Sequence, residues 1–598
     1  MSWSLHRYRE QGVFDGLAVH FAKTIAKLSP ESDPLVLLGA ALAMRAPLYG
    51  HVAVDLERVS QDIRVEGITT AELTWPDPEI WRDALSSHPL VRSPSSERVT
   101  PLLLDGSLLY LDRYWGYQAR LIQAITQRLQ AASLPVEEAK LEESLGRLFT
   151  TNGPDDQRDA ARSALTRHIT FVIGGPGTGK TTTVKRILAL LLEHTPNPET
   201  LKIALMAPTG KAAARLRDSI IEGLEHLPIS ETIRSAMPNQ ASTIHRSLGT
   251  RPRQPTRFRH HAGNPLNLDV VVVDEASMVD LALMVKLLEA LSPSCKIILL
   301  GDANQLQSVE AGAVLGDICR ADMPELVCEL STTYRFGSDS GIGSLSRSIQ
   351  RGAMAQSLAY LQGKTREGGG DDAYDDLQWI ETDGRAGSGW EAHLESLVVS
   401  ALRPCIEACQ RGAFADALRH LDDLRILCAH RRGRRGVSGI NSVIERWLRR
   451  GGLIAAQGEY YVGRPLMIQR NDHVLGLYNG DVGVVVRVSP EEALVAFPAS
   501  NEESYRVIPV SRIPAHETVF AMTIHKSQGS QLSHAVVILP EQGSRLLTRE
   551  LLYTAVTRAR HRLTLVGSAE VLEQALIESL PRTSGITQGL NQRSGRVT

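Results

Sequence analysis

The stretch Gly174-Gly175-Pro176-Gly177-Thr178-Gly179-Lys180-Thr181 decides the fold of this chain. An apolar run from Ile169 to Ile173 precedes it, and a helical pattern from Thr182 to Leu192 follows it. A phosphate-binding P-loop requires this order of strand, loop and helix. The glycines let successive backbone N–H groups turn toward one point, and the helix N-terminus adds partial positive charge there. We therefore predict a site for ATP and Mg²⁺, in which Lys180 reaches the β- and γ-phosphates and Thr181 holds the metal.

The composition is that of a large globular protein. A chain of 598 residues is too long for one hydrophobic core, so we expect about three to five domains. No run approaches about 18 uncharged apolar residues, and the N-terminus lacks a signal-peptide pattern. We therefore expect a cytoplasmic protein without a membrane partner. The net charge of −2 does not by itself indicate nucleic acid, although a large ATPase can confine its basic surface to one groove.

The six cysteines form no C-x-x-C pair, and only Cys405 and Cys409 have the i,i+4 spacing that would place them on one helical face. Scattered reduced thiols are the simpler interpretation, with a metal or cluster site as the alternative.

Apolar strands alternate with helical patterns in two parts of the chain, which predicts two α/β domains with buried parallel sheets. The first contains the apolar runs 169–173, 202–206, 270–273 and 296–300. Between about 452 and 515 the pattern changes to short strands separated by Gly, Asn and Pro turns, which is typical of a small β-barrel. The predicted domains are 1–115 (N-terminal, mainly helical), 116–337 (first α/β domain, with a basic hairpin at about 250–264), 338–451 and 516–580 (second α/β domain), 452–515 (barrel insert) and 581–598 (disordered tail).

Carboxylates and an amide follow two further buried strands. Asp274 and Glu275 end the run Val270–Val273, and Gln305 lies in the polar loop after the strand at 296–300. Asp274 is placed to hold Mg²⁺, and Glu275 to polarise the attacking water as general base. Gln305 beside the γ-phosphate can sense hydrolysis and pass it to a neighbouring domain.

Two arginines complete the predicted ATP site. Arg335 ends the first α/β domain and Arg558 lies in the second, and guanidinium groups stabilise charge on a transferring phosphoryl group. If Arg558 reaches ATP bound at Lys180, nucleotide closes the cleft and hydrolysis opens it. The predicted catalytic residues are Lys180, Glu275, Gln305, Arg335 and Arg558. The predicted nucleotide-contacting residues are Gln157 (at the adenine edge), Gly174, Gly175, Pro176, Gly177, Thr178, Gly179, Lys180, Thr181 and Thr182.

Three clusters of hydroxyl, imidazole and ammonium groups stand where strands give way to helices, which suits backbone phosphates of nucleic acid. Together they fit a groove that follows a single strand across both domains. The predicted DNA-binding residues are Pro208, Thr209 and Lys211 in the first cluster, Thr243 and His245 in the second, and Thr523, His525, Lys526, Ser527 and Gln528 in the third. Two basic segments, 251–261 and 431–435, either contact DNA or are solvated loops.

The motifs GGPGTGKTTT, APTGKAAARL, STIHRSLG, VVVDEASMVD, GDANQLQSVEAGAVL, TTYRF, MTIHKSQGSQ and YTAVTRAR occur in this order. The set resembles superfamily 1 helicases of the 5′→3′ class, and more closely the RecD family, the alpha subunits of bacterial RecBCD enzymes (exonuclease V). The resemblance covers about 150–580 with all motifs, and the 452–515 insert is similar to the SH3-like 2B domain of that class. The N-terminal run 109–115 resembles the RecD family less specifically.

The resemblance implies two RecA-like P-loop NTPase domains and ATP-driven 5′→3′ translocation on single-stranded DNA. It also implies unwinding of duplex ends within a heterotrimer, docked through the N-terminal domain to RecC-like and RecB-like subunits and acting in DNA repair and recombination. A stand-alone helicase has the same motifs and is the main alternative. A nuclease is disfavoured because convergent carboxylates are missing, and a scaffold that binds ATP without hydrolysing it is disfavoured because Glu275 and Arg558 are present.

Overall fold

The computed structural model describes residues 3–30, 33–63, 65, 73–132, 136–149, 155–251, 254–337, 339–366, 373–382, 389–455, 458–472, 474–489, 492–499, 505–579 and 582–593. Within these residues, every helix is too short or too polar to cross a lipid bilayer.

The N-terminal region packs helices against a small four-stranded sheet of order β1-β4-β3-β2. Its core includes the fully buried Trp81 and Leu38. Its elements are α1 (Leu5–Glu10), α2 (Gly16–Leu28), α3 (Pro34–Arg45), β1 (Val54–Asp55), α4 (Val59–Asp62), α5 (Pro78–Ser86), β2 (Val91–Arg92), β3 (Leu102–Asp105) and β4 (Leu108–Leu111). Helices α6 (Asp112–Gln130) and α7 (Glu138–Leu148) lead to the next domain.

The first α/β domain contains a six-stranded parallel sheet of order β12-β5-β11-β10-β6-β7. Its elements are α8 (Asp156–Thr166), β5 (Ile169–Gly174), α9 (Lys180–Glu193), β6 (Ile203–Ala207), α10 (Gly210–Ile221), α11 (Glu231–Ala236), β7 (Ala241–Thr243), α12 (Ile244–Leu248), β8 (Thr250–Arg251), β9 (Gln254–Phe258), β10 (Val270–Val273), α13 (Leu281–Glu289), β11 (Lys296–Gly301), α14 (Val314–Arg320) and β12 (Val327–Leu330). The four predicted strands are present, each bound displaced by at most one residue, because near-continuous apolar runs mark buried parallel strands. Strands β8 and β9 pair as an antiparallel hairpin.

The second α/β domain contains a five-stranded parallel sheet of order β13-β22-β21-β14-β20. Its elements are α15 (Gly341–Gln350), α16 (Met354–Leu361), β13 (Leu377–Glu381), α17 (Trp390–Gln410), α18 (Phe414–Leu421), β14 (Leu424–Cys428), α19 (Val437–Arg450), then, after the insert, β20 (Ala521–Thr523), β21 (Leu532–Ile538), α20 (Arg549–Val556), β22 (Ala559–Gly567) and α21 (Ala569–Ile577). The prediction of two α/β domains is thereby confirmed.

The insert between α19 and β20 is a five-stranded antiparallel sheet of order β18-β17-β16-β15-β19. Its strands are β15 (Pro465–Ile468), β16 (Val482–Arg487), β17 (Ala493–Pro498), β18 (Tyr505–Pro509) and β19 (His516–Thr518). Leu466, Val485 and Phe497 are fully buried in a core of its own. The SH3-like likeness and the residue bounds of the domains stay predictions.

The prediction of a disordered tail over 581–598 is wrong for its described part, 582–593. Helix α22 (Ile586–Arg593) packs against α6 and α14, and Ile586 and Leu590 are fully buried. Two apolar residues at i,i+4 are enough, since they dock on a core that the rest of the chain supplies. Polar tail groups are also bonded, and the Gly585 N–H donates to Oε1 of Gln118 at 2.9 Å. Residues 594–598 lie outside the described residues.

Candidate functional site

The phosphate-binding loop joins β5 to α9, and its shape requires glycine. Gly177 and Gly179 have φ angles of +81° and +80°, in the left-handed region that glycine adopts at no steric cost. A Cβ on Gly177 would lie 2.2 Å from the Cβ of Arg335, and one on Gly179 would lie 2.6 Å from Nε2 of Gln157. The loop can therefore hold this conformation only without side chains at these positions.

Lys180 begins helix α9, and its ammonium group lies over the loop. Nζ donates to the carbonyl oxygens of Gly174 at 2.5 Å and Gly175 at 2.9 Å. Burial lowers the pKa of Lys180, and three carboxylates, of which Asp302 acts most strongly, oppose that shift. Lys180 is thus held where an incoming phosphate oxygen can replace a carbonyl oxygen as its acceptor.

The two acidic residues after β10 are held in an unusual geometry. Glu275 has a φ of +52° and is the one non-glycine residue with positive φ in the described part of the chain. Its N–H donates to Oδ1 of Asp274 at 2.8 Å. Burial, together with the neighbouring Glu275, raises the pKa of Asp274 to about 6. Backbone strain of this kind is costly and concentrates at functional sites, which agrees with a catalytic position for this pair.

A buried hydrogen-bonded chain joins the two α/β domains. Oδ2 of Asp302 accepts from Nε2 of Gln305 at 3.0 Å and from the Tyr553 hydroxyl at 3.1 Å. Oε1 of Gln305 in turn accepts from Nη2 of Arg558 at 2.9 Å. All four side chains are buried. The Gln305 amide therefore lies between a carboxylate of the first domain and a guanidinium of the second.

Leu306 strengthens this junction. Its N–H donates to Oγ1 of Thr554 at 2.8 Å, its carbonyl accepts from Nε2 of Gln528 at 3.1 Å, and its side chain packs against the core of the second domain. Nearby, Nη1 of Arg215 donates to the Gly529 carbonyl at 3.1 Å. A change at Gln305 can thus be transmitted mechanically through the residue that follows it.

These groups surround a cleft of about 640 Å³ between the domains. The predicted residues that line it are Pro176, Gly177, Gly179, Lys180, Thr181, Thr182, Asp274, Glu275, Gln305, Arg335 and Arg558. Gly174, Gly175 and Thr178 form the frame of the loop behind the cleft. Gln157 is buried: its Nε2 donates to the Thr178 carbonyl at 3.2 Å and its Oε1 accepts from Arg186 at 3.1 Å. A contact between Gln157 and adenine stays a prediction.

The cleft carries the donor set that a magnesium nucleotide needs. Thr181 offers a hydroxyl oxygen and Asp274 a carboxylate oxygen, and Mg²⁺ prefers oxygen ligands of this type beside substrate phosphates. Elsewhere, no group of three or more His, Cys, Asp or Glu side chains within the described residues could hold a metal ion. Cys405 and Cys409 are both buried, and the Cys405 thiol donates to the Ala417 carbonyl at 3.3 Å.

The first two predicted DNA clusters lie side by side at the edge of the first sheet. Oγ1 of Thr209 accepts from the Ala212 N–H at 3.2 Å and caps α10, and Oγ1 of Thr243 accepts from the Arg246 N–H at 3.2 Å and caps α12. A capping hydroxyl still has a hydrogen to donate. Both can therefore cap a helix and donate to a phosphate oxygen at the same time. Pro208 precedes the cap of α10. The Lys211 side chain on α10 and the His245 side chain on α12 are exposed.

In the third cluster only Lys526 is exposed. Thr523 caps the short 3₁₀ helix Ile524–Ser527, and Lys526 contacts Oε1 of Glu517 at 2.5 Å. His525 is half-buried between them. Ser527, however, is fully buried and donates to the Ile524 carbonyl at 2.7 Å, and Gln528 bonds Leu306 as described above. Thr523, although buried, lines a cleft together with Lys526, and neither Ser527 nor Gln528 lines that cleft.

Sequence reasoning missed four residues of the cleft and junction: Asp302, Tyr553, Leu306 and Arg215. Asp302 could have been predicted, since it follows the carboxyl end of a buried parallel strand that lies beside the strand before Asp274. Tyr553 lies in a quoted motif without any pattern that predicts its partner. Arg215 and Leu306 gain their roles only from the approach of the second domain, which no local pattern contains.

Comparison with known families finds three matching regions. The model described as "RecBCD enzyme subunit RecD, N-terminal domain" matches residues 10–110. The model described as "AAA domain" matches residues 157–311. The model described as "UvrD-like helicase C-terminal domain" matches residues 518–566.

Curated relatives match over nearly the full length. The chain is 41% identical to the RecBCD enzyme subunit RecD of Mycolicibacterium smegmatis, covering 96% of each chain. It is 33% identical to the RecBCD enzyme subunit RecD of Haemophilus influenzae, covering 97% of this chain and 98% of the relative. The ATP-dependent RecD2 DNA helicase of Deinococcus radiodurans is 29% identical over 71% of this chain and 50% of its own length.

Proposed function

This chain belongs to the family of RecBCD enzyme subunit RecD, and from that premise we propose that it is an ATP-dependent DNA helicase subunit of a RecBCD-type complex. In this proposal it translocates 5′→3′ on single-stranded DNA and opens duplex ends, in recombinational repair of double-strand breaks. One observation carries the proposal: the hydrogen-bonded chain from Asp302 through Gln305 to Arg558, which crosses from one α/β domain to the other at the edge of the nucleotide cleft.

In this proposal each cleft residue has a role in hydrolysis, which its position supports. Lys180 over the loop binds the β- and γ-phosphates of ATP. Glu275 accepts a proton from the attacking water. Arg335 approaches from the first domain and Arg558 from the second, and both stabilise charge on the phosphoryl group. Thr181 and Asp274 would hold Mg²⁺, which neutralises phosphate charge when bound.

The same residues convert hydrolysis into motion. Gln305 bonds Arg558, and Leu306 is attached to Thr554 and Gln528. Loss of the γ-phosphate changes what Gln305 and Arg558 can bond, so the two domains shift relative to each other. Since the capping threonines Thr209, Thr243 and Thr523 are distributed over both domains, that shift moves one part of a DNA strand against another. The 5′→3′ direction rests on family resemblance.

The N-terminal region is the proposed docking surface for a RecC-like subunit, next to a RecB-like subunit. The match of residues 10–110 to the N-terminal family model supports this part. DNA degradation is assigned to a partner subunit, not to this chain.

The test compares the intact complex with a Lys180→Gln variant on two duplexes, one with a 5′ tail and one with a 3′ tail. The wild type should hydrolyse ATP when DNA is added and, with the other motor inactivated, should unwind only the 5′-tailed duplex. Lys180→Gln should assemble normally but lose both activities. DNA-stimulated hydrolysis by this chain in the variant would overturn the site, and unwinding of the 3′-tailed duplex would overturn the polarity.

The mass of the native assembly separates the subunit from a stand-alone helicase. Two much larger chains at equal stoichiometry would support the RecBCD-type subunit. A lone particle of 65.4 kDa that unwinds a 5′-tailed duplex would favour the stand-alone helicase, and cleavage of DNA by that particle would contradict the assignment of the nuclease to a partner.

A further inference from the structure

The two parallel sheets end in the same way at one edge. In the first, β7 is the edge strand beside β6, and Thr243 pairs in register with Ala207. In the second, β20 is the edge strand beside β14, and Thr523 pairs in register with Cys428. Each edge strand continues as Thr-Ile-His, and each threonine caps the helical turn that follows. The second domain therefore repeats the arrangement that carries two of the predicted DNA clusters in the first.

The repeat identifies the counterpart of the Thr209–Lys211 loop. That loop follows β6 and leads into α10. In the second domain, the loop after β14 contains Arg431 and Arg432 and leads into α19. A basic loop whose role the sequence leaves open thus occupies the place of a predicted phosphate contact.

This loop and the third cluster enclose a cleft of about 620 Å³. Its cationic lining residues are Arg431, Arg432 and Lys526, and Glu517 is its acidic lining residue. Thr523 and Ser438 add hydroxyl groups. Arg431 and Arg432 are exposed, so a ligand reaches them without movement of the backbone. Three cations against one carboxylate leave a net positive site, which suits a phosphodiester.

The Glu517 carboxylate contacts two of the cations that line this cleft. Its Oε1 lies 2.5 Å from Nζ of Lys526, and its Oε2 lies 3.7 Å from Nη2 of Arg431. Oε2 also accepts from Nε2 of Gln469 at 2.8 Å. Within the described part of the chain, no acidic side chain pairs with Arg432. The Glu517 carboxylate occupies the position that an anionic oxygen of a bound strand would take between Lys526 and Arg431.

In the proposed function this cleft takes a backbone phosphate of single-stranded DNA, and we propose that Glu517 competes with that phosphate for Lys526 and Arg431. This inference rests on the proposed function. When a strand enters, the phosphate replaces the carboxylate at both cations, and Gln469 retains Glu517 at the rim. The competing carboxylate weakens each contact, which favours release of the strand during stepping.

The test measures binding of a labelled oligo(dT) to the complex by fluorescence anisotropy at several salt concentrations. The variants are Arg431→Ala with Arg432→Ala, Glu517→Gln, and Arg434→Ala as the matched control. Arg434 lies in the same loop but pairs with Glu391 at 2.7 Å outside the cleft. We expect the double variant to bind about tenfold more weakly, with a salt dependence reduced by roughly one to two released ions. Glu517→Gln should bind several-fold more tightly, and Arg434→Ala should bind as the wild type does.

Unchanged affinity in both cleft variants would overturn the inference. Weaker binding by Glu517→Gln would overturn the competition, because it would make Glu517 a support for the cations. Hydrolysis at saturating oligo(dT) separates these outcomes from a failure of the proposed function: wild type that neither binds DNA nor responds to it rejects the function itself. An Arg431→Lys and Arg432→Lys double variant should restore most of the affinity, which excludes misfolding as the cause of weak binding.

Discussion

The two α/β domains have similar edge strands but contribute different residues to the nucleotide cleft. The first supplies the phosphate-binding loop, Asp274 and Glu275, whereas the second supplies Arg558 and Tyr553. At the edge strands β7 and β20 the domains are alike, since each of these strands leads into the sequence Thr-Ile-His. The comparison teaches that the surface proposed for nucleic acid is duplicated, while the nucleotide chemistry is not.

The domains differ as well in how their cores are completed. The first sheet shares one core with α6 of the N-terminal region and with α22. The second sheet is covered on one face by α15, α20 and α21, all from its own sequence. The first domain thus depends on α22, which lies far away along the chain, whereas these three helices of the second domain lie within its own part of the chain.

The largest effect is expected from Arg558→Ala, which removes the guanidinium of the second domain from Gln305. An arginine that stabilises phosphoryl charge accelerates transfer about 10³- to 10⁵-fold, so hydrolysis should fall at least about 10³-fold while ATP binding changes little. Steady-state kinetics on the complex measures this. Arg562→Ala, exposed on the same strand β22, is the control. Normal hydrolysis in Arg558→Ala would show that the first domain performs the chemistry alone.

Glu275→Gln keeps the size of the side chain and removes its basicity. A general base contributes about 10²- to 10⁴-fold, so single-turnover hydrolysis should slow by that factor with the affinity for ATP retained. Glu199→Gln, exposed in the same domain, should behave as the wild type. If Glu275→Gln hydrolyses ATP normally, the proton acceptor lies elsewhere and the strained backbone at Glu275 needs another explanation.

Leu590→Ala tests whether α22 stabilises the core of the first domain and not that of the second. Truncating a fully buried leucine costs about 2 to 5 kcal/mol of the free energy of unfolding, and this loss should fall on the first domain and the N-terminal region. Hydrogen exchange resolves the two domains, and amides of the second sheet should keep their protection. Gln592→Ala, which is exposed on the same helix, is the control. Equal loss of protection in both sheets would show that the two cores unfold as one unit.

The smallest effect is a pH dependence that the N-terminal region and the second α/β domain share. Burial lowers the pKa of His51 to about 4, with Arg45, Arg582 and Arg545 adding to the shift, and burial with Arg562 does the same for His534. Both are neutral when folded, whereas the unfolded chain binds protons below pH 6.5, so stability should fall between pH 6.5 and 4.

Each of these histidines should contribute about 2 to 3 kcal/mol to that loss. Chemical denaturation across this pH range, with His51→Gln and His534→Gln, assigns the loss to its domain. The exposed His226→Gln is the control. A stability that does not change with pH would show that neither histidine stays neutral in the folded protein.

Local patterns predicted much of the fold. The strands of the first sheet follow from apolar runs such as Val270–Val273, because a strand buried on both faces needs apolar side chains throughout. The loop residues follow from glycine spacing, because only glycine reaches φ of +80° without strain. Lys180, Asp274 and Glu275 are predictable for the same reason: their positions depend on one strand and one turn.

Contacts between distant segments could not be predicted in this way. The bond from Tyr553 to Asp302 spans 251 residues, and nothing near either residue indicates it. Gln528 matches a DNA-binding motif, and its bond to the Leu306 carbonyl of the other domain spans 222 residues; DNA contacts by Ser527 and Gln528 stay predictions. The polar composition of the tail predicts disorder. That prediction is wrong because Ile586 and Leu590 pack into a core that other segments of the chain form.

Helix α22 also bears on how the protein is made. Synthesis proceeds from the N-terminus, so Ile586 and Leu590 are made after both α/β domains, although they complete the core that contains Leu103, Tyr110 and Leu121. The second sheet is complete in sequence by Gly567 and its covering helices by Ile577, so this domain can close before α22 is made, in keeping with domain-wise folding during synthesis. Until α22 has been made, the earlier part of this core keeps an open apolar face. That face is therefore covered only after both α/β domains have been synthesised.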